Sequence, residues 1–266
     1  MFFQRLITTL ILVPLVLLTL VYGPGWFLMG VLLLILLISI HESFQLIPLN
    51  LLTTKISYLA LMLLALWGCA YLFDYWLSIG LILWIAISIA IISFPRSQQY
   101  WGYTSIVGLV CLILLPLFCQ SLIHIYNLPQ GKGLFVYLLF LIWASDIGAY
   151  LTGKALGSHK LIPQVSPGKS WEGLMGGLTL ALFIALGGFL YFKPAYPVLW
   201  FVLALVTVII SVFGDLFISI LKRRCHLKDT GNVIPGHGGM LDRLDSLIAA
   251  APVFYFGLIN IPLRVI

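Results

Sequence analysis

The sequence predicts an all-α fold: a polytopic integral membrane protein with about nine transmembrane helices and a cytoplasmic N-terminus. Hydrophobic residues make up 62% of the 266 residues and charged residues only 8%. This composition leaves too little polar surface to cover a water-soluble globule of that size. Apolar stretches near the roughly 20 residues that a helix needs to cross the hydrocarbon recur along nearly the whole chain. A membrane bundle is therefore the predicted architecture.

Nine stretches predict membrane helices, at approximately 6–22, 25–40, 57–73, 75–94, 103–121, 133–150, 173–192, 196–218 and 246–262. The first stretch follows Arg5 but lacks the small-residue cleavage pattern of a signal peptide, so it is expected to be retained. The first two stretches are short and the first contains Pro14. They could therefore form one re-entrant pair, which would leave the orientation of the later helices unchanged.

The basic residues indicate how the bundle is oriented. With the N-terminus inside, 11 of the 14 Lys and Arg residues fall on the cytoplasmic side, and only Lys132, Lys193 and Arg264 fall outside. Cytoplasmic loops carry an excess of Lys and Arg in membrane proteins. The count thus predicts an inner (cytoplasmic) membrane protein whose polar loops face the cytoplasm.

Polar residues divide the chain into two parts. Residues 1–130 are N-terminal transmembrane helices with few charges, whereas residues 131–266 contain two polar cytoplasmic loops, 151–172 and 219–245. The second loop, SILKRRCHLKDTGNVIPGHGGMLDRLD, holds eight of the 22 charged residues. Acids, a basic run and a Gly-His-Gly-Gly turn together suit a metal-bound, multiply charged phosphate substrate. The second part is therefore predicted to be the catalytic region.

Four acids reach the cytoplasmic ends of the predicted helices: Asp146, Asp215, Asp242 and Asp245. A carboxylate at membrane depth is costly and usually functional. For Asp146, a functional role and a helix-end carboxylate that reaches out to water remain equally open. Asp215 is more strongly indicated, because one helical face also carries a serine four residues and a lysine seven residues later.

Other polar residues have simpler interpretations. The pair His41 and Glu42, and Asp74, are expected to be solvated helix ends. The net charge of +6 favours anionic membrane lipids as partners, and no motif indicates nucleic-acid binding. The four cysteines and five histidines show no zinc-binding spacing. Gly173 and Gly177, four residues apart, predict a close approach of two helices.

The segment 219–245 resembles the hallmark sequence of the phosphatidate cytidylyltransferases, also called CDP-diacylglycerol synthases. Two weaker motifs of that family are also matched, by Ser145-Asp146 with Tyr150 and Gly153, and by SPGKSWEG at 166–173. The resemblance covers the second half of the chain in detail. It implies transfer of the cytidylyl group of CTP to phosphatidate, with Mg²⁺ as cofactor, a second monovalent cation such as K⁺ nearby, and a homodimer.

The resemblance also implies roles for individual residues. Asp215 and Asp242 match the metal-binding acids of the family. The remaining residues expected at the substrates are basic, polar or glycine residues of the three motifs: Lys222 and Arg243 with catalytic roles, and Asp146, Lys169, Ser219, Arg223, Lys228, His237, Gly238 and Gly239 in substrate binding. A triphosphate needs such cations, because its negative charges repel an anionic lipid phosphate.

His237 is expected to contact a phosphate or the cytosine rather than to act as a general base. A phosphate monoester has a second pKa of about 6, so it is already largely a dianion at neutral pH. The chemistry therefore requires no base. Asp229 and Asp245 could either complete the metal site or hold the loop by pairing with nearby Arg and Lys residues.

Two alternative functions are compatible with the sequence. A transporter is also a polytopic bundle, but it tends to place its charges near the bilayer midplane between internal repeats, and this sequence shows no repeat. A related CTP-dependent enzyme that acts on a polyprenol or on an archaeal ether lipid is the closer alternative. The lipid tails are recognised by apolar helices, whose preferences the sequence does not reveal.

Overall fold

The computed structural model describes residues 2–101, 103–233 and 238–261. Within these ranges, the chain forms a helical bundle with one short β-hairpin. Its elements are α1 (Phe2–Tyr22), α2 (Gly25–Leu46), α3 (Leu52–Tyr71), α4 (Phe73–Ile92), α5 (Gln98–Trp101), α6 (Thr104–Asn127), α7 (Gly131–Leu156), β1 (Lys160–Ile162), β2 (Ser166–Ser170), α8 (Trp171–Phe192), α9 (Pro197–Arg224) and α10 (Leu241–Ile259). The predicted all-α membrane fold is confirmed.

Each of the nine predicted spans corresponds to one long helix. Seven of these helices, α2, α3, α4, α6, α7, α8 and α9, are long and apolar enough to cross a membrane. The apolar part of α1, Leu10–Tyr22, is shorter, and α10 carries Asp242, Arg243 and Asp245 in its first turns. The count of nine spans and the side on which the N-terminus lies therefore stay predictions.

The bundle is arranged around α6. Its most apolar stretch is 67% buried inside the protein. Helices α3, α4 and α8 are much less enclosed. They expose large apolar side chains such as Leu64, Ile82 and Phe183. Such an exposed apolar surface is expected of a protein whose solvent is lipid.

The predicted close approach at Gly177 is confirmed. A Cβ atom there would lie 2.8 Å from the backbone oxygen of Ser145, and one at Gly173 would lie 2.9 Å from that of Ala149. A larger residue at either position would push α8 away from α7. This contact fixes the position of α7 and, with it, the position of Asp146.

The helices before the two predicted polar loops extend into them. Helix α7 ends at Leu156 and α9 at Arg224, so the first residues of both predicted loops are helical. The loop 151–172 also contains an antiparallel hairpin of β1 and β2, in which Lys160 pairs with Ser170. Polar residues such as Lys154 and Arg223 had suggested loops there, but they are exposed residues of continuing helices.

Candidate active site

A cavity of about 540 Å³ opens between α7, α9, α10 and the hairpin. Its charged lining residues come from every one of these elements: Asp146, Lys169, Asp215, Asp242, Arg243 and Asp245. The sequence separates these residues by up to about a hundred positions, yet the fold brings them to one place. Four acids and two basic residues thus share a single polar site at one end of an otherwise apolar bundle.

Asp215 holds two of the predicted residues in place. Its Oδ2 lies 2.8 Å from the ammonium nitrogen of Lys169, and its Oδ1 accepts a hydrogen bond of 3.1 Å from the Ser219 hydroxyl. Ser219 follows one helical turn later on α9, which is the spacing that places two side chains on one face. Ser219 is therefore positioned to orient the Asp215 carboxylate.

The hairpin carries Lys169 to the cavity. Glu172, in the first turn of α8, anchors the start of the hairpin by accepting hydrogen bonds of 2.7 Å from the Ser158 hydroxyl and 2.7 Å from Nδ1 of His159. At the other end, the Ser170 side chain caps α8 by accepting the Gly173 N–H at 3.1 Å. Because both ends of the hairpin are fixed, Lys169 is held opposite Asp215.

Asp242 uses both carboxylate oxygens. Oδ1 accepts a hydrogen bond of 2.6 Å from Lys222, while Oδ2 accepts the backbone N–H of Thr230 at 2.7 Å and that of Gly239 at 3.0 Å. Burial raises the pKa of the Asp242 carboxyl, but the hydrogen bonds lower it by more than burial raises it. The pKa therefore lies below its ordinary value. Asp242 is therefore anionic at neutral pH.

Asp146 and Asp245 complete the acidic lining. Asp146 lines the cavity from α7 and is exposed there. The helix continues for ten more residues to Leu156, so Asp146 does not lie at a helix end, whereas its expected access to water is confirmed. Asp245 lies one turn after Asp242 on α10, and its backbone packs directly against Gly214 of α9. This close contact brings the acids of α9 and α10 together.

Several predicted residues lie further out. Arg223 and Lys228 are exposed and are not among the described residues that line the cavity; Arg223 donates to the backbone oxygen of Leu227 at 3.4 Å. Gly238 adopts a φ of 84° and lies beside Asp242, next to Gly239. His237 falls outside the described residues, so its expected substrate contact stays a prediction.

The interpretation of Glu42 as a solvated helix end is wrong. Glu42 is only 1% exposed, and its carboxylate accepts hydrogen bonds from Thr230, Met240 and Leu241. Asp74, by contrast, is exposed as expected. One signal for Glu42 was available in the sequence, because it is the only acid among the first 73 residues. A lone carboxylate at the end of an apolar span is a default candidate for a functional residue.

The donor chemistry of the cavity fits Mg²⁺. Carboxylate oxygens are the hard ligands that Mg²⁺ prefers, and this ion is usually bound by one or two carboxylates together with substrate phosphates and waters. No group of three or more His, Cys, Asp or Glu side chains that could hold a metal ion was found within residues 2–101, 103–233 and 238–261. Four carboxylates line the cavity, so its donor set is of the type that this ion uses together with substrate phosphates.

The bundle and this cavity define a polytopic membrane protein with a charged site suited to phosphate chemistry. The model of a family described as the cytidylyltransferase family matches residues 3–260, and the chain belongs to that family. It is therefore a nucleotidyltransferase rather than a transporter.

Curated relatives carry a more specific name. The chain is 40% identical over 198 residues to the phosphatidate cytidylyltransferase of Pseudomonas aeruginosa, and the match covers 73% of each chain. It is 40% identical over 188 residues to that of Haemophilus influenzae, covering 65% of this chain and 64% of the relative. The Bacillus subtilis enzyme of the same name is 42% identical over 156 residues, covering 56% and 57%.

Proposed function

We propose that the chain transfers the cytidylyl group of CTP to phosphatidate, which yields CDP-diacylglycerol and pyrophosphate for phospholipid biosynthesis. Its family and the names of its relatives support this reaction. The observation that carries the proposal is the pair of acids, Asp215 and Asp242, each bonded to a lysine at one cavity between membrane helices. A site at the end of a membrane bundle suits a reaction between a water-soluble nucleotide and a lipid headgroup.

The reaction joins two anions. An oxygen of the phosphatidate phosphate attacks the α-phosphorus of CTP and forms a new phosphorus–oxygen bond. The bond from the α-phosphorus to the oxygen bridging the β-phosphorus breaks, and its electron pair leaves with pyrophosphate. Because the lipid phosphate is largely a dianion at neutral pH, no side chain has to remove a proton.

The basic residues of the cavity supply the charge that this reaction needs. Lys169 and Arg243 line the cavity, and Lys222 bonds to its Asp242. We expect all three to neutralise phosphate oxygens and to stabilise the negative charge that develops on the leaving pyrophosphate. Asp215 and Asp242 would hold Mg²⁺, which when bound neutralises phosphate charge and makes the α-phosphorus more electrophilic. A second monovalent cation such as K⁺, a homodimer and bound membrane lipids are further proposals that rest on the family resemblance.

A membrane assay with labelled CTP tests the proposed function. Membranes that contain the protein should convert phosphatidate to labelled CDP-diacylglycerol and should release pyrophosphate in equal amount. A polyprenol phosphate and an archaeal ether lipid serve as competing acceptors in parallel reactions. Faster conversion of either competing lipid would contradict phosphatidate as the substrate, and membranes lacking the protein provide the background.

We further propose that the cavity faces the cytoplasm, because the basic residues concentrate at this end of the bundle. In a Cys225→Ser background, Gln164→Cys in the hairpin is expected to react with a membrane-impermeant maleimide only after the membrane is opened. Tyr196→Cys, between α8 and α9, should react in intact cells. Labelling of Gln164→Cys in intact cells, with none of Tyr196→Cys, would contradict this orientation.

A further inference from the structure

Glu42 connects the N-terminal helices to the catalytic region. It lies in the last turns of α2, and its Oε2 accepts hydrogen bonds of 2.9 Å from the Thr230 hydroxyl and 2.8 Å from the Leu241 N–H. Its Oε1 accepts the Met240 N–H at 2.7 Å. These partners lie almost 200 residues further along the chain. Glu42 therefore forms a long-range tether rather than a local helix-end contact.

The tether supplies the N-terminal cap of α10. The first N–H groups of a helix have no partner within the helix, and a side-chain oxygen usually accepts from them. Met240, at the N-cap of α10, offers no such side chain. Glu42 accepts from Met240 and Leu241 in its place, and its negative charge lies where the helix dipole favours an anion. The first turn of α10, which carries Asp242, is thus fixed by α2.

A second connection runs through Thr230. Its hydroxyl lies 2.9 Å from the Glu42 carboxylate and 3.0 Å from Oδ2 of Asp242. A hydroxyl has one proton to donate, so Thr230 stands between the two carboxylates and relates their positions. The Thr230 backbone N–H donates to the same oxygen of Asp242 at 2.7 Å. A shift of Glu42 would therefore displace Asp242 in two ways, through Thr230 and through the first turn of α10.

The surrounding backbone is shaped to admit the glutamate. A Cβ atom at Gly231 would lie 2.6 Å from Oε1 of Glu42, and one at Gly239 would lie 2.6 Å from Oε2. Any larger residue at these two positions would collide with the carboxylate. Cys225 adds a neighbouring contact, since its thiol donates to the backbone oxygen of Leu46 at 3.4 Å. The end of α2 thus contacts Cys225, Gly231 and Gly239, which lie between α9 and α10.

We propose that Glu42 is a positioning residue for nucleotidyl transfer, which sets the orientation of Asp242 from outside the cavity by holding Thr230 and the first turn of α10. This inference rests on the proposed function, because Asp242 acts on the nucleotide phosphates only if that function holds. Glu42 is not among the described residues that line the cavity. Its effect on the reaction is therefore exerted through Asp242.

Glu42→Gln tests the inference. Whichever way the amide is turned, its NH₂ group faces at least one backbone N–H that the carboxylate now accepts. We expect kcat/KM for CTP to fall at least about tenfold, as for the loss of buried hydrogen bonds to a charged group. The KM for CTP should rise, because a displaced Asp242 weakens the phosphate site. Glu42→Asp, which keeps the charge, should recover part of the loss.

Asp74→Asn is the matched control, because it neutralises an exposed carboxylate in the first turn of α4. It should leave both kinetic constants unchanged. A second readout is maleimide labelling of Cys225, the one cysteine of four that is not buried. Glu42→Gln should speed this labelling, since the segment between α9 and α10 loses its attachment to α2.

Unchanged kcat and KM for CTP in Glu42→Gln would overturn the inference. So would a fall in kcat that merely follows the amount of folded protein while KM stays constant, because that result describes a structural role alone. If Glu42→Gln is not recovered in membranes, Glu42→Asp is held to the same criteria. An inactive wild-type protein would instead contradict the proposed function, and the Cys225 labelling rate would still test the tether.

Discussion

Asp215→Asn is expected to reduce nucleotidyl transfer by about 10³-fold or more while leaving the bundle folded. The substitution removes a negative charge proposed to bind Mg²⁺, and such an ion contributes several kcal/mol to stabilising a phosphoryl transition state. The carboxylate accepts from Lys169 and Ser219, and the amide oxygen of Asn can still accept from one of them, so the bundle should stay folded. Initial rates at saturating CTP and Mg²⁺ measure the effect.

The thermal unfolding of the purified variant provides the control. A melting temperature near that of the wild type, with activity lost, would place the effect in the reaction. Ser219→Ala, which removes the hydroxyl that orients the same carboxylate, should reduce the rate far less. Retention of substantial activity in Asp215→Asn at saturating Mg²⁺ would remove Asp215 from the proposed metal site.

Asp242→Asn is expected to abolish transfer to a similar extent and also to loosen the segment between α9 and α10. An amide offers one accepting oxygen where the carboxylate offers two. The NH₂ group must therefore face either the Lys222 ammonium or the N–H groups of Thr230 and Gly239. Loss of activity should be accompanied by faster maleimide labelling of Cys225, which Asp215→Asn should not cause.

Comparing Asp215→Asn with Asp242→Asn separates an effect on the reaction from an effect on the fold. If both lose activity and only Asp242→Asn exposes Cys225, the acid of α10 has a structural role that the acid of α9 lacks. Equal labelling rates in Asp242→Asn and wild type would show that the hydrogen bonds to Thr230 and Gly239 do not hold the segment. Asp74→Asn again serves as the charge-matched control.

The helices could be predicted from the sequence because lipid imposes a simple rule. A spanning segment must satisfy its backbone hydrogen bonds internally and must present apolar side chains. Hydropathy therefore located every long helix in the part of the chain that the structure describes. The rule misplaces helix ends: α7 was predicted to end at about 150 but continues to Leu156, and α9 was predicted to end at about 218 but continues to Arg224. The added turns carry exposed polar residues such as Lys154 and Arg223, which hydropathy assigns to a loop whether or not the backbone stays helical.

The candidate site could be predicted because charged residues are rare in this chain and cluster in a few segments. Asp215, Lys222 and Asp242 are charged residues clustered in an apolar chain, and the family motifs contain them. Glu42 could not be placed in the same way, because its partners Thr230 and Leu241 are almost 200 residues away and periodicity carries no information about such contacts. Lys169 is an intermediate case: its motif was recognised, but its pairing with Asp215 depends on the hairpin.

The tether from α2 bears on how this enzyme can be divided or recombined. The recognisable motifs all lie after residue 130, which suggests a self-contained catalytic module, yet the first turn of α10 is capped by a carboxylate from residue 42. A fragment that begins after α6 would carry the motifs without this cap. Chimeras between relatives would accordingly have to take Glu42, Gly231 and Gly239 from the same parent.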